Sequence, residues 1–547
     1  MAQLHQRIVF SLSHEESRGM KAESQNPNGT DRKSWGSKTA SEEPDGAKGS
    51  SMTIRSRTVS GLGWSASTRA ATALLQFAVS VGLARLLNPD DFGLIGMVLV
   101  VIGFAATIGD LGFGAAIVQR DDISNASLSS VFWFGLAAGG FLTIALILAA
   151  PLVAAFYGAP QLQLLTTAMA LMFIFGSLQV VQSALLQKSL DFRTRFRIEI
   201  CSVSVSAVIA LVLALKGAGV WSLVALSLSD AAARAVVTWR LVSWRPRLTF
   251  SWNAVKKLLE FGRHLIGFNI VVYWAQNVDK LIIGQHLGSI ALGVYGVADR
   301  LMRLPLTHVT ATTSAVMFPA LAAVQSNVDV VRRTYLRANR MIAFLTFPMM
   351  LGMSTLAEPL VLLVYGEKWR AAIPVVQLLC FAGLAQSVYN TAAWIFLSRG
   401  RPDILFRLGL LSLLVRLVGV LVGLNWGLLG VACGYVAGGY LALLYPTWTT
   451  AGRLIGLQFA ELLQNVAAPF FCAATMAAAI GFSHHLLWAG EADWLQLAVH
   501  VPAGIVVYGL CARLFRLRAW YDFCELISEV AGPRTSRLLA LINKRID

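Results

Sequence analysis

The sequence predicts an all-α integral membrane protein with about 14 transmembrane helices, and three observations predict it. Of 547 residues, 56% are hydrophobic and 14% charged, with a mean hydropathy of +0.64, outside the range of soluble domains. Apolar runs of about 20 residues recur along the chain, the length at which a helix satisfies its own backbone across the hydrocarbon core. The basic residues fall in short segments between those runs. Topology therefore explains the formal net charge of +16 better than nucleic-acid binding does.

Residues 1–52 are polar (GTDRKSWGSKTASEEPDGAKGSS is typical) and carry too little apolar surface for a core, so a disordered cytoplasmic segment is expected. Met52, followed by Arg55, Arg57 and the first apolar run, is a candidate start of translation. Residues 53–249 hold six runs, near 58–86, 92–118, 128–151, 162–184, 198–215 and 219–239. Residues 250–455 hold six more, near 263–286, 291–319, 338–364, 372–397, 405–424 and 427–450. Two further runs, 465–484 and 493–513, fill residues 456–513. Ser251–Phe261 (SWNAVKKLLEF) sets Val255, Leu258 and Leu259 against Lys256 and Lys257, the pattern of a helix lying on a membrane face, and the tail 514–547 is similarly amphipathic. The six cysteines have no zinc-binding spacing and read as apolar packing residues.

Orientation follows from the ends of the runs. One side carries Arg193, Arg195, Arg197, Arg245, Arg247, Lys256, Arg332, Arg333, Arg337, Arg399 and Arg401, whereas the other offers only Arg85, Lys216, Lys368 and Arg370. The positive-inside rule puts the rich side in the cytoplasm, and an even number of spans puts both termini there.

The chain also repeats itself. FYGAPQLQLL from Phe156 aligns with VYGEKWRAAI from Val364 at an offset of 208 residues, which carries Gly219 onto Gly427. An offset of 200 carries LLNPDDFGLIG onto HLGSIALGVYG, matching Gly93 and Gly96 to Gly293 and Gly296. Two halves of about six spans in one orientation follow, an arrangement found in transporters with the substrate site between the halves.

ARLLNPDDFGLIGMVLVV (from Ala84) and DKLIIGQHLGSIALGVYGVADRL (from Asp279), with the FYG and VYG segments, resemble the polysaccharide transporter branch of the multidrug/oligosaccharidyl-lipid/polysaccharide exporter superfamily. Its Wzx-like flippases are the most similar group, and the resemblance covers residues 55–515. It implies two six-helix lobes in a V around a central cavity plus two extra helices, in a bacterial inner membrane. The implied activity moves an undecaprenyl-pyrophosphate-linked oligosaccharide from the cytoplasmic to the periplasmic leaflet by alternating access. No cofactor is implied, coupling to H+ or Na+ stays open, and the implied partners are membrane lipids and the polymerase and export proteins of the same pathway.

Ionisable side chains within spans cost about 2.5–3.5 kcal/mol each, so each is a functional candidate. Arg69, Arg234, Lys280, Arg300, Arg303 and Arg416 are the candidates for binding an anionic substrate; Asp230, Asp279, Asp299 and His308 are those for ion coupling. Asp230 with Arg234, and Asp299 with Arg303, are spaced i,i+4 and could instead neutralise each other. Arg300 and Arg303 together outnumber Asp299, which favours a basic face toward a cavity. Asn269, Tyr273, Gln276, Asn277 and Lys280 share one helix face, suited to a wet cavity or an interhelical hydrogen-bond seam, with Asp279 at its edge. A drug/cation antiporter of the same superfamily, which would be rich in cavity acids, and a lipid II flippase are the alternative readings. The sequence has no GxxxxGK[ST] loop and no loop long enough to build an enzyme site.

Overall fold

The computed structural model describes residues 72–109, 112–119, 123–323, 327–488 and 490–531. The expected segment 1–52, the Met52 start, Arg69 and the first part of the first span lie outside the described residues. Those described are helical and include no strand.

The first half comprises α1 (Thr72–Leu86), α2 (Pro89–Gly109), α3 (Asn125–Tyr157), the bent pair Gln161–Ser177 and Val180–Lys188 (α4, 44°), α5 (Phe192–Leu215) and α6 (Val220–Leu241). Local signals set the ends: Ser124 and Asp191 cap α3 and α5 through their side chains, and α6 follows Gly219.

The helical stretch Trp252–Ala323 is broken at Gly288, whose φ of 82° lies outside the right-handed region. It comprises α7 (252–287) and α8 (289–323). Tyr295 hydrogen-bonds Asp279, 16 residues earlier, at 2.6 Å. In a straight helix those residues would stand about 24 Å apart, so the chain doubles back here.

Then come the bent pair Val328–Thr355 and Ala357–Val364 (α9, 78°), α10 (Glu367–Ser398), α11 (Pro402–Gly423) and α12 (427–455). A second hairpin, at Gly427, brings Gly419 and Gly423 against Gly434 and Gly430 so closely that a β-carbon on any of them would overlap a backbone carbonyl. The last helices are α13 (Phe459–Leu487), α14 (Asp493–Leu514) and α15 (Arg518–Ala531).

Against the expected 14 spans, nine helices among the described residues are long and apolar enough to cross a membrane, or eleven if each bent pair is one span. The difference has a physical source. Two of the nine stretches, Asn269–Thr307 and Pro402–Ile455, contain the hairpins, and the first expected span is described only from Thr72.

Ser251–Phe261 is not a separate surface helix. Trp252 begins α7 itself, Val255 is buried in a cluster with Phe113, Ile117, Phe132 and Val181, and the Ser251 N–H donates to Ser130 Oγ at 2.8 Å. Of the residues that suggested a lipid-lying helix, Val255 packs on the first half instead. α15 is amphipathic and docks on α9, with Asp522 facing Arg340 and Arg337 at 2.8 and 3.2 Å and Trp520 against Phe344.

The aligned halves match in backbone detail. Gly158 and Gly366 both adopt a positive φ after the helix that carries the aligned tyrosine, as do Gly219 and Gly427 before theirs. α2 and α8 meet reciprocally. A β-carbon on Gly93 would overlap the Ser289 carbonyl, and one on Gly293 would overlap that of Pro89, the residue 200 positions before Ser289. Such a self-complementary contact is what two-fold related surfaces make.

Candidate functional site

α7 and α8 carry most of the charge into the interior of the second half. Asp299, 3% exposed, is the hub: Arg303 Nε donates to both of its oxygens at 2.8 and 2.9 Å, and Lys280 Nζ lies 3.0 Å from Oδ2. Its helix register makes the first contact and the Gly288 hairpin the second, so one carboxylate is shared by two cations. Asp279, also buried, accepts only from Tyr295 through Oδ2, and Oδ1 has no partner.

α11 adds Arg416, 8% exposed, whose guanidinium donates to the Ala275 carbonyl on α7 and to the hydroxyls of Tyr435 and Tyr389, while stacking 4.8 Å from the Tyr435 ring centre. Tyr435 in turn accepts from Gln386 at 2.8 Å. Three cations therefore share this interior with two carboxylates. Burial strengthens each of these interactions and makes every unpaired group costly.

The basic face expected from Arg300 and Arg303 divides. Arg303 turns inward to Asp299, whereas Arg300 is exposed and donates to Ser80 Oγ of α1 at 2.5 Å, linking the two halves. In the first half Asp230 and Arg234 pair at 2.7 Å, each about 30% exposed, with Asp230 Oδ1 unbonded. His308 lies on α8; Arg69 is outside the described residues.

The polar face of α7 divides as well. Tyr273 donates to the Val100 carbonyl on α2 at 2.6 Å and packs on Phe104, Asn277 bonds its own helix at the Tyr273 carbonyl, and Lys280 is paired; Gln276 alone of these is exposed. The tyrosines that organise the interior, Tyr295, Tyr389 and Tyr435, carried no signal in the sequence, because an aromatic within an apolar run reads as packing. Only the need of a buried hydroxyl for a partner separates them from phenylalanine.

Beyond the contacts that Tyr273 and Val255 make with the first half, the halves are joined most closely at the Gly288 end of the bundle. Besides the glycine contact, Ser289 donates to Asp90, Trp369 Nε1 donates to the Ala84 carbonyl at 2.9 Å, Phe92 meets the Trp369 ring edge-on, and Arg85 donates to the Leu363 and Val364 carbonyls.

The polysaccharide biosynthesis protein family profile matches residues 82–374. The chain is 27% identical over 462 residues to the teichuronic acid biosynthesis protein TuaB of Bacillus subtilis (strain 168), covering 83% of this chain and 95% of that one. It is 30% identical over 331 residues to the succinoglycan biosynthesis transport protein ExoT of Rhizobium meliloti (strain 1021), covering 60% and 67%. Among solved structures, the lipid II flippase MurJ in an inward closed conformation superposes with a TM-score of 0.68 at 14% identity, covering 83% of this chain and 98% of that one, a likeness of fold.

Proposed function

The chain belongs to the polysaccharide biosynthesis protein family, and from that premise we propose that it is a flippase rather than an enzyme. It carries an undecaprenyl-pyrophosphate-linked oligosaccharide from the cytoplasmic to the periplasmic leaflet of a bacterial inner membrane, for exopolysaccharide or lipopolysaccharide assembly. The observation that carries this reading is the cationic surplus of Lys280, Arg303 and Arg416 over Asp279 and Asp299, with Arg300 exposed beside it where the halves meet. Moving phosphates and a glycan through hydrocarbon requires groups that replace their hydration and oppose their charge. Arg does this well because its planar fork binds oxyanions.

By the charge asymmetry of the loops, the joined end with Arg85 and Arg370 is periplasmic and both termini are cytoplasmic. The joined end is then the closed outer gate, and rocking one half against the other opens it. Coupling to a H+ or Na+ gradient, with Asp279 as the acceptor, and hand-over to a polymerase in the same membrane belong to this proposal.

Arg300→Ala and Arg303→Ala test it. Each variant should remain in the membrane, Arg300→Ala at wild-type abundance and Arg303→Ala at a reduced one because Asp299 loses a partner, while polymer per folded protein falls at least tenfold and lipid-linked repeat units accumulate. Wild-type polymer from both variants would sink the reading.

A further inference from the structure

Next to Arg416 lies a cavity of about 160 Å³, roughly ten times the space one water requires. α7, α10, α11 and α12 line it within the second half, apart from the contact between halves. Its polar lining is Gln276, Tyr389, Asn390, Ser412, Arg416 and Thr447, all able to donate a hydrogen bond, and no carboxylate lines it. Arg416 has five N–H groups to place. Both on Nη1 are used, by Ala275 O and Tyr435 Oη, and one on Nη2 is used by Tyr389 Oη. Nε–H and one Nη2–H have no protein partner among the described residues. No carboxylate bonds this guanidinium, although it is nine-tenths buried. Two free N–H groups on one buried cation, beside neutral polar side chains in a cavity otherwise lined by apolar ones, is the complement of a two-oxygen anion and a poor environment for a cation.

We propose that this cavity is an oxyanion site that receives a carboxylate or phosphate group of the transported saccharide. The inference rests on the flippase reading for the source of that group. The chemistry is shared by two sources, the carboxylate of an acidic sugar and the phosphates of the lipid linkage. Because binding completes the hydrogen bonding of Arg416, it stabilises the folded protein by mass action.

The test is thermal unfolding of the purified full chain in lipid nanodiscs with sodium glucuronate, inorganic phosphate or glucose, each at the same ionic strength set with sodium chloride. Glucuronate, phosphate or both should raise Tm by a few degrees with a saturating dose dependence, and glucose should not. A rise with glucuronate alone assigns the site to the sugar carboxylate, and one with phosphate alone to the lipid linkage. Arg416→Gln should abolish the rise. Since that change can also weaken folding, Ser412→Leu provides a second arm: it fills the cavity, leaves the three protein bonds of Arg416 in place, and should abolish the rise as well. No oxyanion-dependent rise in the wild type, or an undiminished rise in Ser412→Leu, would overturn the proposal. Either result can be obtained whether or not the protein flips lipid, so it is separable from the export assay.

Discussion

At the seam between the halves, contact is made largely to the main chain: Gly93 against the Ser289 carbonyl, Gly293 against that of Pro89, and Trp369 and Arg85 donating to main-chain carbonyls across the boundary. In the interior of the second half, contact is made by charge, with Asp299 gripped by Lys280 and Arg303 and Arg416 held by tyrosines. Separating the seam exposes carbonyls and hydroxyls that water can serve, whereas separating the interior would strand ions. A protein that opens along one surface and holds its shape elsewhere needs this division.

The largest expected effect breaks the seam. Gly293→Leu places a side chain where the Pro89 carbonyl lies, so the seam cannot close. Polymer export should be lost, and oxidative cross-linking of an Asp90→Cys/Ser289→Cys pair should fall severalfold in that background. Gly419→Leu makes the equivalent insertion inside one half, against Gly434, and should lower the amount of folded protein instead. Near-normal export and cross-linking in Gly293→Leu would show that the seam is not the gate.

Breaking the interior should come next. Asp299→Asn leaves Lys280 and Arg303 without their shared carboxylate, a loss of about 3–5 kcal/mol for a buried pair. In a chain of this length about 1 kcal/mol moves Tm by about 1 °C, so a Tm indistinguishable from wild type would contradict the central role given to Asp299.

Much of this contrast was legible in the sequence. The helical class, the repeat and the Gly93/Gly293 match came from composition and spacing, because hydrocarbon dictates helix length and duplication preserves glycines where backbones touch. The i,i+4 pairs Asp230/Arg234 and Asp299/Arg303 were legible for the same reason, since helix register alone sets their separation. What sequence reasoning missed depends on the hairpins. Lys280 meets Asp299, and Tyr295 meets Asp279, only because Gly288 folds α8 back along α7, and Arg416 meets Tyr435 only across the turn at Gly427. The polar face of α7 looked continuous because a helical wheel shows which residues align and not which neighbour each one meets.

The smallest expected effect sharpens the comparison by moving the same chemistry into water. As Arg303 Nε does to Asp299 in the interior, Arg332 Nη2 on α9 donates to both carboxylate oxygens of Glu461 on α13, at 2.8 and 2.9 Å, with side chains 35% and 39% exposed. If geometry set the energy, losing this pair would cost as much as losing the Asp299 contacts. Solvent screening argues otherwise, because each ion regains hydration when its partner leaves; about 0.2–1 kcal/mol is the range for exposed pairs. Arg332→Ala should therefore lower Tm by no more than about 1 °C, and added salt should shrink the difference from wild type, while the larger Asp299→Asn deficit stays nearly salt-independent. Equal losses in the two variants at every salt concentration would mean that burial does not distinguish the interior from the surface, and the division between a parting seam and a fixed interior would fail with it.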